Sequence, residues 1–468
     1  MLWGMIGLYA LVFITFTSFR HYNFYTQTWD MGAFVQTMWN TTQGRIMYNN
    51  IEEAANTLGV HLSPWLFMVV PGYMIFQSPY YLLVVQSLAL ALGALPLFFL
   101  ALKKLNDRKA ALLISASYLL YPALHWINAY DFHAVSFAVP LMLGAFYFLE
   151  AKQYTWMYVF LALAASTRED VIIVIFFFGL FLLFQKEKRL KHNGIIIASA
   201  SLLYFILAIK VIMPALGGGL LRLDRYEHLG SSISQIALTI LQNPKILIET
   251  MVTVPKITYV LWLFIPVAFL PFFSWRPLIL LIPGLLENLL TTFPFQFAGL
   301  YQYDSVLVPC IFAGVVYGTE NIYKHWPKKK RLVFFAIIAA FLVGYGARSP
   351  LNPFFFPREI FRSTEHTRAF RAIARAVPPG ATVAAHTNLV PHLSHREHSY
   401  MLADETFDVD YVLVDSIDPF GFNTVESFQN YVYSYMNSPQ YQMSVYQGRY
   451  FIFNRKDRAE PLSLDSPE

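Results

Sequence analysis

The chain of 468 residues is 56% hydrophobic and only 13% charged, with a net charge of +5 and a mean hydropathy of +0.45. Soluble domains carry roughly 25% charged residues, so an ordinary water-soluble globule is excluded, and no basic stripe marks a nucleic-acid partner. The lone cysteine, Cys310, lies in an apolar run, which leaves neither a disulfide framework nor a thiolate metal site.

A bilayer takes roughly 20 apolar residues per helix. In chain order, apolar runs predict helices at 1–18, 79–101, 109–126, 132–150, 154–167, 171–185, 194–213, 257–273, 277–291, 305–322 and 332–347, about eleven spans in all. The first run has no small-residue cleavage site behind it, so it reads as a span rather than a signal peptide. Basic residues cluster at Lys103, Lys104, Arg108 and Lys109, at Lys186, Lys188, Arg189 and Lys191, and at Lys324, Lys328, Lys329, Lys330 and Arg331. With these helices all three clusters fall on one side. The positive-inside rule then predicts a multi-pass cell-membrane protein with a cytoplasmic N-terminus.

The external face receives the loops 19–78, 127–131, 167–170, 214–256 and 292–304, and a tail from 348. That tail has mixed charge and apolar runs too short to span. A helical pattern over 366–377 is stopped by Pro378-Pro379-Gly380; strands are expected at 381–385 and 411–415, a helix near 388–394, and paired strands at 442–446 and 449–453. The expected fold class is therefore a polytopic α-helical membrane domain over 1–347 with a small C-terminal extracytoplasmic α/β domain over 348–468.

The external loops hold the residues that can carry chemistry. Asp30 opens an amphipathic stretch expected to lie on the membrane surface, either as an N-cap or as a general base or metal ligand. His61 is a loop histidine, solvated or functional. Asp131 and His133, at i and i+2, converge in a tight turn or merely make it polar. Only about 15 residues separate Lys152 from Arg168, Glu169 and Asp170, fewer than a span needs. Those three ionisable groups are thus expected below the outer surface, facing a cavity or pairing with one another. Gly217-Gly218-Gly219 precede Arg222 and Arg225, which suits a mobile loop that clamps phosphate, or a connector facing headgroups. Glu287, Asn288, Tyr301, Tyr303 and Asp304 are further cavity candidates. The tail histidines His386, His392, His395 and His398 do not have metal-site spacing.

Several of these motifs occur together: Asp30-Met-Gly32 with Gln36, Trp39-Asn40 and Gly44; His61-Leu-Ser-Pro64; Gln86; Tyr121-Pro122; Asp131-Phe132-His133; Arg168-Glu169-Asp170; and, in the tail, Pro391-His392-Leu393-Ser394 and 410–415. In this the chain resembles the prokaryotic family of membrane proteins with domain of unknown function 2079, over nearly its whole length. That family in turn resembles the GT-C superfamily of membrane glycosyltransferases, which take a sugar from a polyprenyl-phosphate carrier outside the cytoplasm. The resemblance implies Asp30 as catalytic base, with Arg168, Arg222, Arg225 and one of His61 or His133 holding phosphate. It leaves Glu169, Asp170 and Asp131 for sugar hydroxyls or a divalent cation, and commits to no metal. The implied partners are a polyprenyl-phosphate-linked sugar, membrane lipid and a glycan, lipid or protein acceptor. The alternative is a transporter or flippase of a lipid-linked substrate, whose site would lie nearer the bilayer midplane. A membrane-anchored binding protein acting through its tail is a third reading.

Overall fold

The computed structural model describes residues 1–464. Among these, five helices are long and apolar enough to cross a membrane: Leu2–Tyr22, Pro79–Leu105, Lys188–Ala215, Gln302–His325 and Pro327–Arg348. Two bent pairs raise the count to seven. Arg108–Leu119 meets Pro122–Ala129 at 43°, and Pro244–Met251 meets Val254–Val267 at 69°. Proline at the start of each second helix explains both bends, since it withholds the N–H that would continue the first. Shorter apolar helices, Leu66–Ile75, Ala134–Glu150 and Tyr154–Ala165 among them, fill the space between.

The helix Gln302–His325 is the hub, with 89% of its most apolar window buried. Gly314 lies against Pro271, and Gly318 abuts the Leu270 carbonyl so closely that a Cβ would overlap it. Larger residues there would push the neighbouring chain off the hub. Ion pairs draw the basic loops to one end of the bundle. Lys104 reaches Glu150 at 3.1 Å and Glu320 at 3.0 Å, and Lys152 reaches Glu187 at 3.3 Å.

The tail folds around a five-stranded sheet of β1 (Val383–Ala385), β2 (Ser399–Met401), β3 (Tyr411–Asp415), β4 (Tyr441–Tyr446) and β5 (Tyr450–Arg455), in the order β2-β1-β3-β5-β4. β1 is parallel to β2 and β3, whereas β5 is antiparallel to β3 and β4. Side chains alternate between its two faces. Val383, Ala385, Leu413 and Ile452 pack with the helix Glu365–Ala376, while Ala384, Val412, Val414 and Phe453 pack with the helix Val425–Met436. β2 and the second helix were not legible in the sequence reading, although Phe428, Tyr431, Val432 and Tyr435 do repeat at helical spacing.

This domain sits on the first long loop. Thr28 Oγ1 donates to the Thr387 carbonyl at 2.8 Å, Asn388 Nδ2 to that of Phe24 at 2.6 Å, and Gln36 Nε2 to that of Glu397 at 2.9 Å. The His21 and His392 rings stack at 4.1 Å. The helix Ala33–Thr42 is therefore not an amphipathic helix lying on an open surface. Val35, Gln36, Thr37, Met38 and Asn40 are all buried, because protein covers the faces that a surface helix would give to lipid and water.

Candidate active site

Asp30 lies in a π-helical turn, Thr28–Gly32, that leads into the helix Ala33–Thr42. Its side chain caps no backbone N–H, so the N-cap alternative falls. The wide turn instead aims the carboxylate at the loop after Ala129. There Tyr130 Oη donates to Asp30 Oδ2 at 2.7 Å, and His133 Nε2 lies 2.7 Å from Asp30 Oδ1. His133 Nδ1 faces the Asp131 carbonyl at 3.0 Å. Both ring nitrogens thus face oxygen atoms, which fixes the orientation of the ring. Burial by itself would raise the Asp30 pKa, but His133, Tyr130 and the Arg20 charge outweigh it and hold the carboxyl below its usual range.

A second layer fixes these partners. Gln86 Oε1 accepts from His133 N at 2.8 Å and from Ser136 Oγ at 3.1 Å, and its Nε2 donates to the Asp131 carbonyl at 3.2 Å. Asp131, with 0% exposure, pairs with Arg20 at 2.6 Å and accepts from Gln27 N at 2.7 Å. Burial nevertheless leaves its pKa raised. Asp131 and His133 do converge, but on different partners: the aspartate braces the loop, and the histidine holds Asp30.

The corner 167–170 meets the first loop. Glu169 Oε1 lies 2.8 Å from His61 Nδ1, and its Oε2 accepts from Leu62 N at 3.0 Å. Arg168, 8% exposed, forms a two-pronged pair with Asp170. Arg168 and Glu169 are buried and Asp170 partly so, and Arg168 spends two donors on its own corner.

The loop after Ala215 docks beside His61 through its glycines. Gly219 N donates to the Gly59 carbonyl at 3.0 Å, and Gly218 touches the Gly59 backbone where a Cβ would not fit. Arg222 then pairs two-pronged with Glu53 at 2.6 and 3.1 Å. Arg225 has no such partner among the described residues. It donates to Gln296 Oε1 at 3.3 Å and Tyr303 Oη at 3.4 Å, and its guanidinium lies 4.3 Å from the Phe293 ring centroid. An arginine held by neutral groups keeps its charge available for an anion.

Among the described residues, no group of three His, Cys, Asp or Glu side chains is placed to hold a metal ion. One carboxyl that the sequence reading missed is Glu52. Its backbone N donates to Asn49 Oδ1 at 2.8 Å, Asn49 Nδ2 donates to its Oε2 at 3.3 Å, and His61, Glu53, Arg222 and Asp30 all act on it electrostatically. Burial pushes its pKa up to about 7. No sequence signal separates it from Glu53, which is exposed and paired.

Residues 20–449 match the sequence profile of the family described as predicted membrane protein, DUF2079. The chain belongs to that family. No curated protein matches the DUF2079 sequence significantly. Its structure is similar to ArnT from Cupriavidus metallidurans in the apo state, with a TM-score of 0.59 at 9% identity over 98% of both chains. It is equally similar to the same ArnT bound to undecaprenyl phosphate, with a TM-score of 0.58 at 9% identity over 98% of each chain. The oligosaccharyltransferase of Archaeoglobus fulgidus in complex with Zn and sulfate gives a TM-score of 0.50 at 11% identity, over 88% of this chain and 68% of that one. At such identities the likeness is one of fold. The DUF2079 protein is a multi-pass membrane protein whose fold resembles that of ArnT.

Proposed function

We propose that the protein is a GT-C-like glycosyltransferase that moves a sugar from a polyprenyl-phosphate carrier to an acceptor hydroxyl. The carrying observation is the Asp30 carboxylate, kept ionised by Tyr130 and His133 at 2.7 Å each, in a fold shared with an ArnT crystallised with undecaprenyl phosphate. The acceptor oxygen attacks the anomeric carbon and gives its proton to Asp30. The bond to the carrier phosphate breaks, and the phosphate leaves with the electron pair. Arg225 meets the charge that grows on that phosphate. Arg168 reaches it by sharing Asp170, and Arg222, held by Glu53, positions the loop that carries Arg225. His61, Glu169, Asp170 and Asp131 shape the floor on which the sugar hydroxyls lie. Glu52, whose pKa burial pushes up to about 7, is a second proton acceptor.

The remaining topology follows from the same reading. With about eleven crossings, once the shorter helices are counted as spans, the positive-inside rule makes the N-terminus cytoplasmic and puts domain 348–468 and the site on the outer face. The transporter alternative is not favoured, since the folds the chain resembles include that of an oligosaccharyltransferase.

The test uses membranes with and without the protein, supplied with labelled polyprenyl-phosphate sugar. The wild type should transfer label, and Asp30→Asn should lose roughly a hundredfold or more, the range of general-base catalysis, at unchanged thermal stability. Wild-type transfer by Asp30→Asn rejects the assignment.

A further inference from the structure

A cavity of about 330 Å³ shares a wall with this site. Tyr130 lines it, and the same Tyr130 donates to Asp30. Its other polar features are dominated by two arginines, Arg20 and Arg348, and no carboxylate lines it among the described residues. Phe16, Trp126, Leu300 and Phe355 supply an apolar wall.

The two arginines differ in how fully they are engaged. Arg20 is paired with Asp131 at 2.6 Å and rides 5.4 Å from the Tyr130 ring centroid. Arg348 donates once, to the Ala298 carbonyl at 2.9 Å, and lies 5.8 Å from the Trp262 ring centroid. Asp304 acts on Arg348 electrostatically, but the two form no ion pair. Most of the five guanidinium N–H donors of Arg348 are therefore uncommitted.

Position adds the second half of the argument. Arg20 stands in the last turn of the spanning helix Leu2–Tyr22, and Arg348 is the last residue of the span Pro327–Arg348. Two cations at the C-terminal ends of two membrane helices face one partly apolar cavity, a position suited to lipid headgroups. The volume suits a headgroup and the first carbons of its chain.

We propose that this cavity binds the phosphate-class anionic headgroup of a membrane amphiphile, with Arg348 as its main ligand and Arg20 as its second. As the place where a lipid substrate waits beside Asp30, the site rests on the transferase reading; as a binding site it is tested by itself.

The experiment measures lipid binding by native mass spectrometry on the full-length protein in detergent. The probes are a short polyprenyl phosphate, phosphatidylglycerol and, as a zwitterionic control, phosphatidylcholine. At least one anionic probe should bind in preference to phosphatidylcholine. Arg348→Gln should weaken it roughly tenfold, the scale of one charge-assisted hydrogen bond. Ala347→Trp, which adds bulk to the cavity lining without removing a charge, should weaken it as well. Preference for polyprenyl phosphate assigns the cavity to the carrier, and preference for phosphatidylglycerol to a phospholipid; each supports the site. Equal binding by the wild type and both variants, with unchanged thermal stability, overturns it. Lipid binding lost in Arg348→Gln but no sugar transfer by the wild type would retire the transferase reading and keep the site.

Discussion

Asp30 and His133, 103 residues apart in the chain, meet at 2.7 Å, and the second nitrogen of the same ring is committed to the Asp131 carbonyl at 3.0 Å. The ring cannot turn away from Asp30 without breaking that second contact, and Gln86 fixes the backbone beneath it. The carboxylate thereby has a fixed direction and a fixed charge, the two properties a base beside a leaving phosphate requires.

Tyr130→Phe should move the acid limb of the pH–rate profile upward. The Asp30 pKa is depressed, and a bond from Tyr130 contributes to that depression. Its removal disfavours the charged form, so the base becomes protonated at higher pH. A charge-assisted hydrogen bond is worth about 1.5–3 kcal/mol, or about one to two pH units. The profile of kcat/KM for sugar transfer checks this, and an unmoved limb speaks against Asp30 as the base.

Arg225→Gln and Arg222→Gln should separate. Arg222 and Glu53 form an ion pair with side chains 37% and 52% exposed, a type worth about 0–1 kcal/mol, so its loss should leave the carrier KM near the wild-type value. Arg225 carries the uncommitted charge, and its loss should raise the carrier KM about tenfold. Equal effects would mean that Arg222 leaves Glu53 to meet phosphate.

Arg20→Leu should be the more damaging change to folding. It strands the Asp131 carboxyl at 0% exposure, and breaking a buried pair costs about 3–5 kcal/mol. Adding Asp131→Asn should restore part of that loss. Thermal unfolding in detergent reads both, and additive destabilisation in the double variant would deny the coupling.

Glu52→Gln should stabilise the protein increasingly as pH rises from about 4.5 to about 7. Burial raises the folded pKa to about 7 from 4.5. Between those values the folded state keeps the proton that the unfolded state releases, so stability falls as pH rises through the window. The glutamine variant escapes that loss. Its unfolding free energy should exceed the wild type's above about pH 7, by up to about 3 kcal/mol, and match it near about pH 4. A pH-independent difference would reject the assignment.

The sequence by itself determined the membrane character of the chain, the grouping of its basic loops, most strands of the tail and the presence of Asp30, His133 and Arg168 at or beyond the ends of the long apolar runs. These are local properties: burial of roughly 20 apolar residues, an alternation of period two, or a charge too costly to leave in lipid is written into consecutive residues. Only the tertiary structure decided who pairs with whom. Nothing local sends His61 to Glu169 and His133 to Asp30, occupies Arg222 with Glu53 while leaving Arg225 to neutral partners, or raises Glu52 and not Glu53. Coulomb and hydrogen-bond terms depend on separations of a few ångströms between segments about a hundred residues apart. The close approach of Gly59 and Gly218, and the docking of the tail on the first loop, set those separations.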